Sequence, residues 1–410
     1  MGKKDNILAA LDIGTTKICA IAAEVTDGNK LNIKGIGTSP SKGLKKGVII
    51  DIEETVESIK KAVHEAEKAS GVEIKSVYTG IAGSHILGLN SKGAAPIKNQ
   101  EVTMGDIEKA LETARAIAIP PDREILHVIP QEFIIDGQDG IKNPLGISGV
   151  RLEVLVHIIT GAITSAQNIV KSINKAGLDV MDIILQPLAS SEAVLTKDEK
   201  DLGVALIDIG GGTTDMAIFV NGSVTHTVVI PLGGNHITND IAFGIRTPFA
   251  EAENLKTKYG CALRSLVVEN GTIEVQDVGG RPPRQLSRHE LAGIIEPRVE
   301  EIFEYAIREI KKTNYADMLS SGIVLTGGSS IMKGMTEIAE KKTGLPVRRG
   351  APENLSGNAE NIINHPMYAT GVGILLCAIQ QEGSDGRKFR NGHLFENIYY
   401  RMQGWFREFF

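Results

Sequence analysis

The sequence predicts an α/β fold made of two similar halves around a cleft. Residues 7–26 (ILAALDIGTTKICAIAAEVT) resemble residues 202–221 (LGVALIDIGGGTTDMAIFVN). In each segment an apolar, β-branched run ends in Asp-Ile-Gly, passes through Thr-Thr and a charged residue, and enters a second apolar run. The chain has 410 residues, of which 42% are hydrophobic, and this is enough for two or more cores. Because ligands bind preferentially between domains, the repeat predicts a binding cleft.

The elements that follow each repeat are also similar. A third strand is predicted at residues 32–37 in the first half and at 225–230 in the second. A helix is predicted over residues 51–70, because apolar residues recur there at helical spacing and Gly71 provides a stop. The insertion at 84–163 carries its own helix and three strand-like runs, so we expect it to form a small accessory subdomain.

Composition and charge exclude several classes of protein. A formal net charge of -6 argues against a nucleic-acid binder, because such proteins carry a strong basic bias. The three cysteines are widely separated and form no CxxC pair, which predicts reduced thiols and no disulfide or zinc site. No signal-peptide pattern opens the chain, and no apolar run approaches the ~20 residues that span a bilayer. We therefore expect a protein that is neither secreted nor transmembrane.

The two glycine-rich loops, Asp12–Lys17 and Asp208–Asp215, are the strongest functional signal. One such loop alone is equally well explained as a tight hairpin that needs positive φ. Two related loops, each beginning with an Asp at the end of a buried strand, favour an anion site, because glycine N–H groups form nests for phosphate. The carboxylates of Asp12 and Asp208 would repel phosphate, so we expect Mg²⁺ between them, held through waters. The residues expected to contact phosphate are Gly14, Thr15, Thr16, Lys17, Gly210, Gly211, Gly212, Thr213 and Thr214.

A third glycine segment, residues 323–330 (IVLTGGSS), again has the pattern of a strand, then Gly-Gly, then a helix. Glycines at this point let the backbone lie flat against a purine or ribose, so Gly327, Gly328 and Ser329 are candidate nucleoside contacts. The two phosphate loops lead into strands. This excludes P-loop and Rossmann designs, since in those the loop opens a helix.

Together these motifs resemble the actin/Hsp70/hexokinase superfamily. The three glycine segments and two connecting segments, 186–194 (QPLASSEAV) and 368–376 (YATGVGILL), occur in the superfamily order between residues 7 and 380. The resemblance implies an actin-like fold of duplicated halves with ATP in the cleft.

The same resemblance assigns roles to single residues. It implies that Asp12 and Asp208 hold the metal, that Gln186 lies by the attacking water, and that Glu253 and Lys256 face the nucleoside. The sequence leaves ATP hydrolysis open, and any turnover is expected to be slow.

Within the superfamily the chain is similar to the FtsA family of bacterial cell-division proteins. Residues 38–50 are the whole connection between the third strand and the first helix, which leaves no room for the insertion that actin and MreB carry there. FtsA proteins instead carry an extra subdomain after the next strand, where residues 84–163 lie. The stretches GIAGSHI (80–86) and IIEPRVEEI (294–302) also resemble the family.

The resemblance implies nine segments in chain order, each named by its subdomain. They are 1A (1–83), the inserted 1C (84–163), 1A again (164–203), 2A (204–232), 2B (233–299), 2A again (300–356), a return to 1A (357–381), a flexible linker (382–392) and an amphipathic helix (393–410).

The last 17 residues, LFENIYYRMQGWFREFF, hold seven of the 18 aromatic residues of the chain. At 100° per residue their large apolar side chains fall on one face of a helix. A terminal helix docked on the body is the alternative. The polar linker before it, the excess of aromatics and the basic flank favour a helix that lies in an anionic membrane surface. The predicted membrane-binding residues are Leu394, Phe395, Ile398, Tyr399, Met402, Trp405, Phe406, Phe409 and Phe410.

The FtsA resemblance also implies partners and a location. It implies head-to-tail self-assembly on the cytoplasmic side of the inner membrane at the division septum, attachment of FtsZ filaments, and contact with later membrane proteins of the divisome. The FtsZ C-terminal tail is expected at Arg288, Arg298 and Glu301, which without the family would be ordinary charges on a solvated helix face. No nucleic-acid partner is expected.

Three alternatives share the phosphate loops. A pilus-type actin homologue shares the inserted subdomain but usually lacks such a terminal helix. A sugar or small-acid kinase needs an Asp base in the first domain, and none is evident in the sequence. An Hsp70-like chaperone needs a peptide-binding domain after residue 380, where only 30 residues follow.

Overall fold

A computed structural model describes residues 7–26, 30–268, 271–278, 282–353, 355–357 and 360–382. Its strands are β1 (Ile7–Ile13), β2 (Lys17–Thr26), β3 (Lys30–Pro40), β4 (Leu44–Lys45), β5 (Val48–Ile49), β6 (Ser76–Ile81), β7 (Leu87–Pro96), β8 (Arg123–Ile135), β9 (Gln138–Ile141), β10 (Arg151–Ala162), β11 (Asp179–Leu185), β12 (Val204–Ile209), β13 (Thr214–Val220), β14 (Ser223–Ile230), β15 (Thr272–Val275), β16 (Arg284–Ser287), β17 (Ile323–Thr326), β18 (Val347–Arg349) and β19 (Ser356–Gly357).

Its helices are α1 (Ile52–Ser70), α2 (Met104–Arg115), α3 (Ile163–Lys175), α4 (Gln186–Val194), α5 (Lys197–Leu202), α6 (Gly234–Ile245), α7 (Phe249–Tyr259), α8 (Arg288–Lys312), α9 (Met335–Thr343), α10 (Glu360–Ile363) and α11 (Ala369–Glu382). Short 3-10 turns lie at Arg264–Leu266, Ala316–Met318, Gly328–Ile331 and Pro366–Tyr368.

The first half is a six-stranded sheet in the order β11-β6-β1-β2-β3-β19. β1, β2 and β3 form an antiparallel meander, while β6 and β11 extend the sheet in parallel. Helix α1 packs on this sheet through a buried apolar stripe that includes Val56, Ile59 and Val63. It begins where the Asp51 carboxylate accepts the Glu54 N–H, and it ends at Gly71, whose φ of 70° is left-handed.

The second half repeats this arrangement. Its sheet has the order β14-β13-β12-β17-β18, with β12 antiparallel to β13 and parallel to β17. This is the order and direction of β3-β2-β1-β6-β11 in the first half, so the predicted duplication is confirmed. Strands β12 and β13 are buried at every residue because the sheet is covered on both faces.

The insertion after β6 forms a separate sheet, β7-β10-β8-β9, with α2 packed on one face. It has four strands, one more than the predicted runs. Gly93 in β7 allows the close approach of α2, since a Cβ there would lie 2.0 Å from the Ala110 carbonyl oxygen. In the second half, α6, α7, the β15–β16 hairpin and the N-terminal part of α8 form the other accessory unit.

Two crossing helices join the halves. Helix α4 follows β11, an edge strand of the first sheet, and α11 returns the chain to that sheet after α10. They are in direct contact at Gly373, where a Cβ would lie 1.8 Å from the Ala189 carbonyl oxygen. Among the described helices, none is long and apolar enough to cross a membrane.

Candidate functional site

The two glycine-rich loops have the same geometry. In the first, the Gly14 N–H donates to the Lys17 carbonyl (3.1 Å), and in the second the Gly210 N–H donates to the Thr213 carbonyl (2.9 Å). Each loop is a tight turn between antiparallel strands, β1–β2 and β12–β13. Because these strand pairs are equivalent in the two halves, both loops face one cleft.

That cleft has a volume of about 690 Å³, within the range of small-molecule sites. Thr214 is the one predicted nucleotide-binding residue that does not line it. Its side chain is buried, and its hydroxyl donates to the Leu232 carbonyl (2.9 Å). The prediction for Thr214 is therefore corrected, because this first residue of β13 points away from the cleft, whereas its neighbours Thr213 and Asp215 line it. The predicted residues in the wall are Asp12, Gly14, Thr15, Thr16, Lys17, Gln186, Asp208, Gly210, Gly211, Gly212, Thr213, Glu253, Lys256, Gly327, Gly328 and Ser329.

Three buried carboxylates, Asp12, Asp208 and Asp215, lie in this cleft with exposed fractions of 9, 6 and 5%. Burial raises the pKa of Asp12 to about 6; the Lys17 ammonium opposes this shift and the Asp208 charge adds to it. Burial also raises the pKa of Asp208, although hydroxyl hydrogen bonds oppose the shift. The pKa of Asp215 is raised well above its usual value, first by burial and then by the other two charges. The three groups together call for a compensating positive charge.

Asp215 was not predicted as a site residue. It lies opposite Asp208 in the β12–β13 ladder, whereas Cys19 lies opposite Asp12 in the first half. Its Oδ1 atom is buried and has no hydrogen-bond partner within the described part of the chain. An unpaired carboxylate oxygen beside two other carboxylates fits a divalent cation or its bound waters. Within the described residues no three His, Cys, Asp or Glu side chains are arranged to hold a metal ion by themselves.

Gln186 is the first residue of α4, and its Nε2 donates to Asp12 Oδ1 (3.2 Å). Gly80 in β6 makes room for it, since a Cβ there would lie 2.8 Å from Gln186 Cγ. The amide therefore lies in the cleft beside one of the three carboxylates.

Lys256 places an ammonium group in the cleft wall, beside the second glycine-rich loop. It forms an ion pair with Glu253 on α7 (Nζ–Oε2, 2.7 Å) and donates to the Gly234 carbonyl (3.1 Å) and to Thr238 Oγ1 (2.8 Å) on α6. Burial lowers its pKa, and the Glu253 charge opposes that shift. The Gly234 N–H in turn donates to the Gly210 carbonyl (2.9 Å), which links this cluster to the loop.

The third glycine segment lies against the same loop. Gly327 has a φ of 85°, and a Cβ there would lie 2.2 Å from Asp208 Oδ1. The Ser329 hydroxyl donates to the Gly210 carbonyl (3.1 Å). Glycine is thus required at 327 both by its conformation and by the approach of a site carboxylate.

The first glycine-rich loop contacts both α6 and the second loop across the cleft. The Thr16 hydroxyl donates to Asn235 Oδ1 of the second half (3.3 Å). A Cβ at Gly211 would lie 1.8 Å from Thr16 Oγ1, and a Cβ at Gly212 would lie 2.5 Å from Thr15 Oγ1. Any larger side chain at these positions would force the loops apart.

Comparison with known proteins identifies the family. A model of the family described as "Cell division protein FtsA" matches residues 205–373. The chain is 50% identical to the FtsA of Pseudomonas aeruginosa over 380 residues (93% of this chain, 91% of that protein). It is 49% identical to the FtsA of Neisseria meningitidis (94% and 93%) and 43% identical to that of Escherichia coli K12 (90% and 89%). The chain belongs to the FtsA family of cell-division proteins.

The insertion and the overall fold agree with this membership. A model described as "SHS2 domain inserted in FTSA" matches residues 83–160, which include the separate β7-β10-β8-β9 sheet. Solved structures with the same fold include a PilM–PilN type IV pilus biogenesis complex (TM-score 0.65, 17% identity, 91% of this chain and 98% of that chain). Another is MreB5 of Spiroplasma citri bound to ADP (TM-score 0.53, 17% identity, 90% and 94%). The predicted actin-like fold and FtsA resemblance are confirmed, and the pilus proteins share the fold alone.

The residues predicted to bind an FtsZ tail lie on α8 but do not form one cluster. The Arg298 guanidinium binds both carboxylate oxygens of Asp240 on α6 (2.6 and 3.0 Å) and also contacts Glu301 one turn later. Arg288 is the first residue of α8, about 15 Å earlier along the axis at 1.5 Å per residue. It lines the cleft, and its buried Nε has no hydrogen-bond partner in the part of the chain that is described.

The predicted linker and terminal amphipathic helix lie almost entirely beyond Glu382, outside the described residues. Their membrane role therefore stays a prediction from the sequence.

Proposed function

We propose that this FtsA-family protein binds ATP with Mg²⁺ in the cleft and uses it to hold its halves together. The observation that carries the proposal is the group of three buried carboxylates, Asp12, Asp208 and Asp215, between two glycine loops. The loops offer backbone N–H groups to phosphate. A bound Mg²⁺ would supply the positive charge that lets carboxylates and phosphates share the cleft. Structures of MreB5 with ADP and with AMPPNP support nucleotide binding by this fold.

The remaining wall residues take roles that follow from their positions. Lys256 neutralises charge beside the second loop, and the Gly327–Gly328 backbone faces the nucleoside. Gln186, bonded to Asp12 at 3.2 Å, orients a water for slow hydrolysis. Because the two loops belong to different halves, one nucleotide contacts both and favours the closed arrangement.

Equilibrium binding of a fluorescent ATP analogue tests the nucleotide site. We expect wild-type protein to bind more tightly with Mg²⁺ than with EDTA, and Asp208→Asn to lose most of that gain. Asp317→Asn is the matched control, because Asp317 is exposed in the 3-10 turn Ala316–Met318 and does not line the cleft. Wild-type protein that does not bind ATP in Mg²⁺ would refute the proposal.

For the cellular role we propose that the protein polymerises on the cytoplasmic face of the inner membrane at the septum. There it tethers FtsZ filaments and meets later divisome proteins. Family membership supports the division role, and the aromatic face of residues 394–410 supports membrane attachment. One short helix binds weakly, because folding on the bilayer offsets part of the apolar gain. A filament presents many such helices, so polymerisation and attachment reinforce each other.

Sedimentation with anionic liposomes tests the attachment. A chain ending at Gln381 should remain in the supernatant, and so should Trp405→Glu/Phe409→Glu. The matched control is Asn397→Glu/Gln403→Glu, which adds the same charge to the predicted polar face and should still sediment. If the chain ending at Gln381 sediments like wild type, attachment through this segment is wrong.

Electron microscopy on the same liposomes tests polymerisation. We expect filaments with ATP, and none with ADP or without nucleotide. Filaments that form equally in all three conditions would contradict a nucleotide-dependent polymer. Contacts between protomers are proposed for the inserted subdomain (84–163).

We propose that the FtsZ C-terminal tail binds near Arg298 and Glu301, whose side chains are 26 and 40% exposed. Alanine at either position should weaken binding of a tail peptide in fluorescence anisotropy, whereas Arg308→Ala on the same helix should not. Arg288→Ala separates the two sites, because Arg288 lines the cleft and should alter ATP binding more than peptide binding. Unchanged peptide binding in both the Arg298 and the Glu301 variants would exclude this surface.

A further inference from the structure

Two hydroxyl groups converge on the Asp208 carboxylate from outside the phosphate loops. Ser190 Oγ, in α4, donates to Asp208 Oδ2 at 2.6 Å. Thr370 Oγ1, in α11, lies 3.3 Å from the same oxygen and 3.0 Å from Ser190 Oγ. Ser190 is fully buried, and Asp208 is 6% exposed. Each of the two helices that join the halves therefore contributes one hydroxyl to the same carboxylate oxygen.

The protons of these hydroxyls can be assigned from their hydrogen-bond partners. An ionised carboxylate can only accept, so the Ser190 hydroxyl is the donor in its 2.6 Å bond to Asp208 Oδ2. Thr370 has one proton and donates it either to Ser190 Oγ or to Asp208 Oδ2. In both arrangements the hydroxyls act as one hydrogen-bonded unit that ends on Oδ2.

The helices that carry these hydroxyls are closely packed at their crossing. A Cβ at Gly373 would lie 1.8 Å from the Ala189 carbonyl, one residue from Ser190. Helix α4 also begins at Gln186, which donates to Asp12 Oδ1. The helix pair is thus bonded to site carboxylates of both halves.

We propose that Ser190 and Thr370 are positioning residues that hold the Asp208 carboxylate for Mg²⁺ and so link the metal–nucleotide complex to the crossing helices. This inference rests on the ATP and Mg²⁺ binding proposed above. Groups that orient a metal-holding carboxylate contribute strongly to affinity, and their loss typically costs about 10–100-fold.

ATP affinity measured with Mg²⁺ and with EDTA tests the inference. Ser190→Ala and the nearly isosteric Thr370→Val should each lower affinity in Mg²⁺ by about tenfold. In EDTA each should change affinity less than about twofold, because the carboxylate then has no metal to hold. Ser191→Ala is the matched control. It removes an equally buried hydroxyl of α4 that donates to the Leu188 carbonyl (2.6 Å), and it should change neither affinity.

The outcomes separate positioning from packing. Equal losses in Mg²⁺ and EDTA, or no loss in Mg²⁺, would overturn the inference. In an Asp208→Asn background, Ser190→Ala should add no further loss, and an additive effect would also contradict it. If wild-type protein shows no Mg²⁺-dependent ATP binding, the proposed function itself fails. Wild-type binding with unchanged variants overturns the positioning role alone.

Discussion

The crossing of α4 and α11 provides a sharp test of the packing between the halves. Gly373 lies where the helices cross, and Gly371 lies two residues earlier in α11. A Cβ at Gly373 would lie 1.8 Å from the backbone oxygen of Ala189, while real contacts of this kind lie beyond 3.0 Å. The helices would have to separate by about 1.2 Å to admit one methyl group.

The expected cost follows from two opposing effects. Replacing glycine with alanine inside a helix stabilises it by about 1 kcal/mol. Overpacking typically costs about 1–3 kcal/mol, and the upper end applies at Gly373 because the obstacle is backbone. Gly373→Ala should therefore lower the free energy of unfolding by about 2 kcal/mol. A Cβ at Gly371 would lie 2.8 Å from the terminal Cδ1 of the buried Ile21. A side-chain end can shift at lower cost than backbone, so this overpacking and the gain in helix propensity should nearly cancel.

Urea unfolding of the two variants beside wild type measures this difference. The two substitutions add the same methyl group to the same helix, so each controls for the propensity change of the other. Ala189→Gly should not rescue Gly373→Ala, because the clash involves a backbone oxygen. If the two variants were equally stable, the tight crossing inferred from the structure would be refuted.

Three further substitutions test other contacts. Burial lowers the pKa of His157 from 6.5 to about 3. Below pH 6.5 the unfolded state therefore binds a proton that the folded state does not. The free energy of unfolding should fall as the pH falls towards 3. His157→Gln should lose about 1.4 kcal/mol less than wild type in urea unfolding between pH 7.5 and 5.5, and equal losses would contradict this. Lys256→Met should weaken ATP binding about tenfold because the cation is lost. Lys341→Met, at an exposed position, is the control and should not change the affinity. If Lys256→Met bound ATP as tightly as wild type, the role of Lys256 would be excluded. Arg348→Lys should destabilise the protein by about 1 kcal/mol in thermal unfolding, because the bidentate ion pair with Glu199 becomes a single contact. An unchanged unfolding midpoint would mean that this ion pair contributes nothing to stability.

The features of the fold that could be predicted are mostly those that depend on short stretches of sequence. Each half begins with the same β-branched runs and glycine turn, so the sequence alone shows their similarity and predicts the paired sheets. The limits of α1 were predictable for the same reason, because Asp51 and Gly71 are capping residues with local roles. The inserted sheet has one strand more than predicted, and its strand β7 (LGLNSKGAAP) combines glycines with small and polar residues that do not resemble a strand.

The residues of the site were less predictable where their position depends on strand register or on contacts between distant parts of the sequence. Thr213 and Thr214 are chemically equivalent, and only the register of β13 determines which one faces the cleft. Asp215 has no carboxylate counterpart in the first half, so the internal repeat gave no signal for it. Ser190 and Thr370 lie 180 residues apart and meet only because α4 and α11 cross.

The inserted sheet belongs covalently to the first half, yet it is hydrogen-bonded to the second. Asn90 Nδ2 donates to the Thr225 carbonyl (3.2 Å) and Gln131 Nε2 to the Val224 carbonyl (3.0 Å), both on β14, the outer strand of the second sheet. A rotation about the α4–α11 crossing that opens the cleft must break these bonds or carry the insert with the second half. Asn90 is exposed and Gln131 is half-buried, so each of these hydrogen bonds contributes about 0.5–1.5 kcal/mol. We therefore expect the inserted subdomain (84–163) to move with the second half. Nucleotide-dependent closure of the cleft would then reorient this subdomain, which we expect to contact neighbouring protomers.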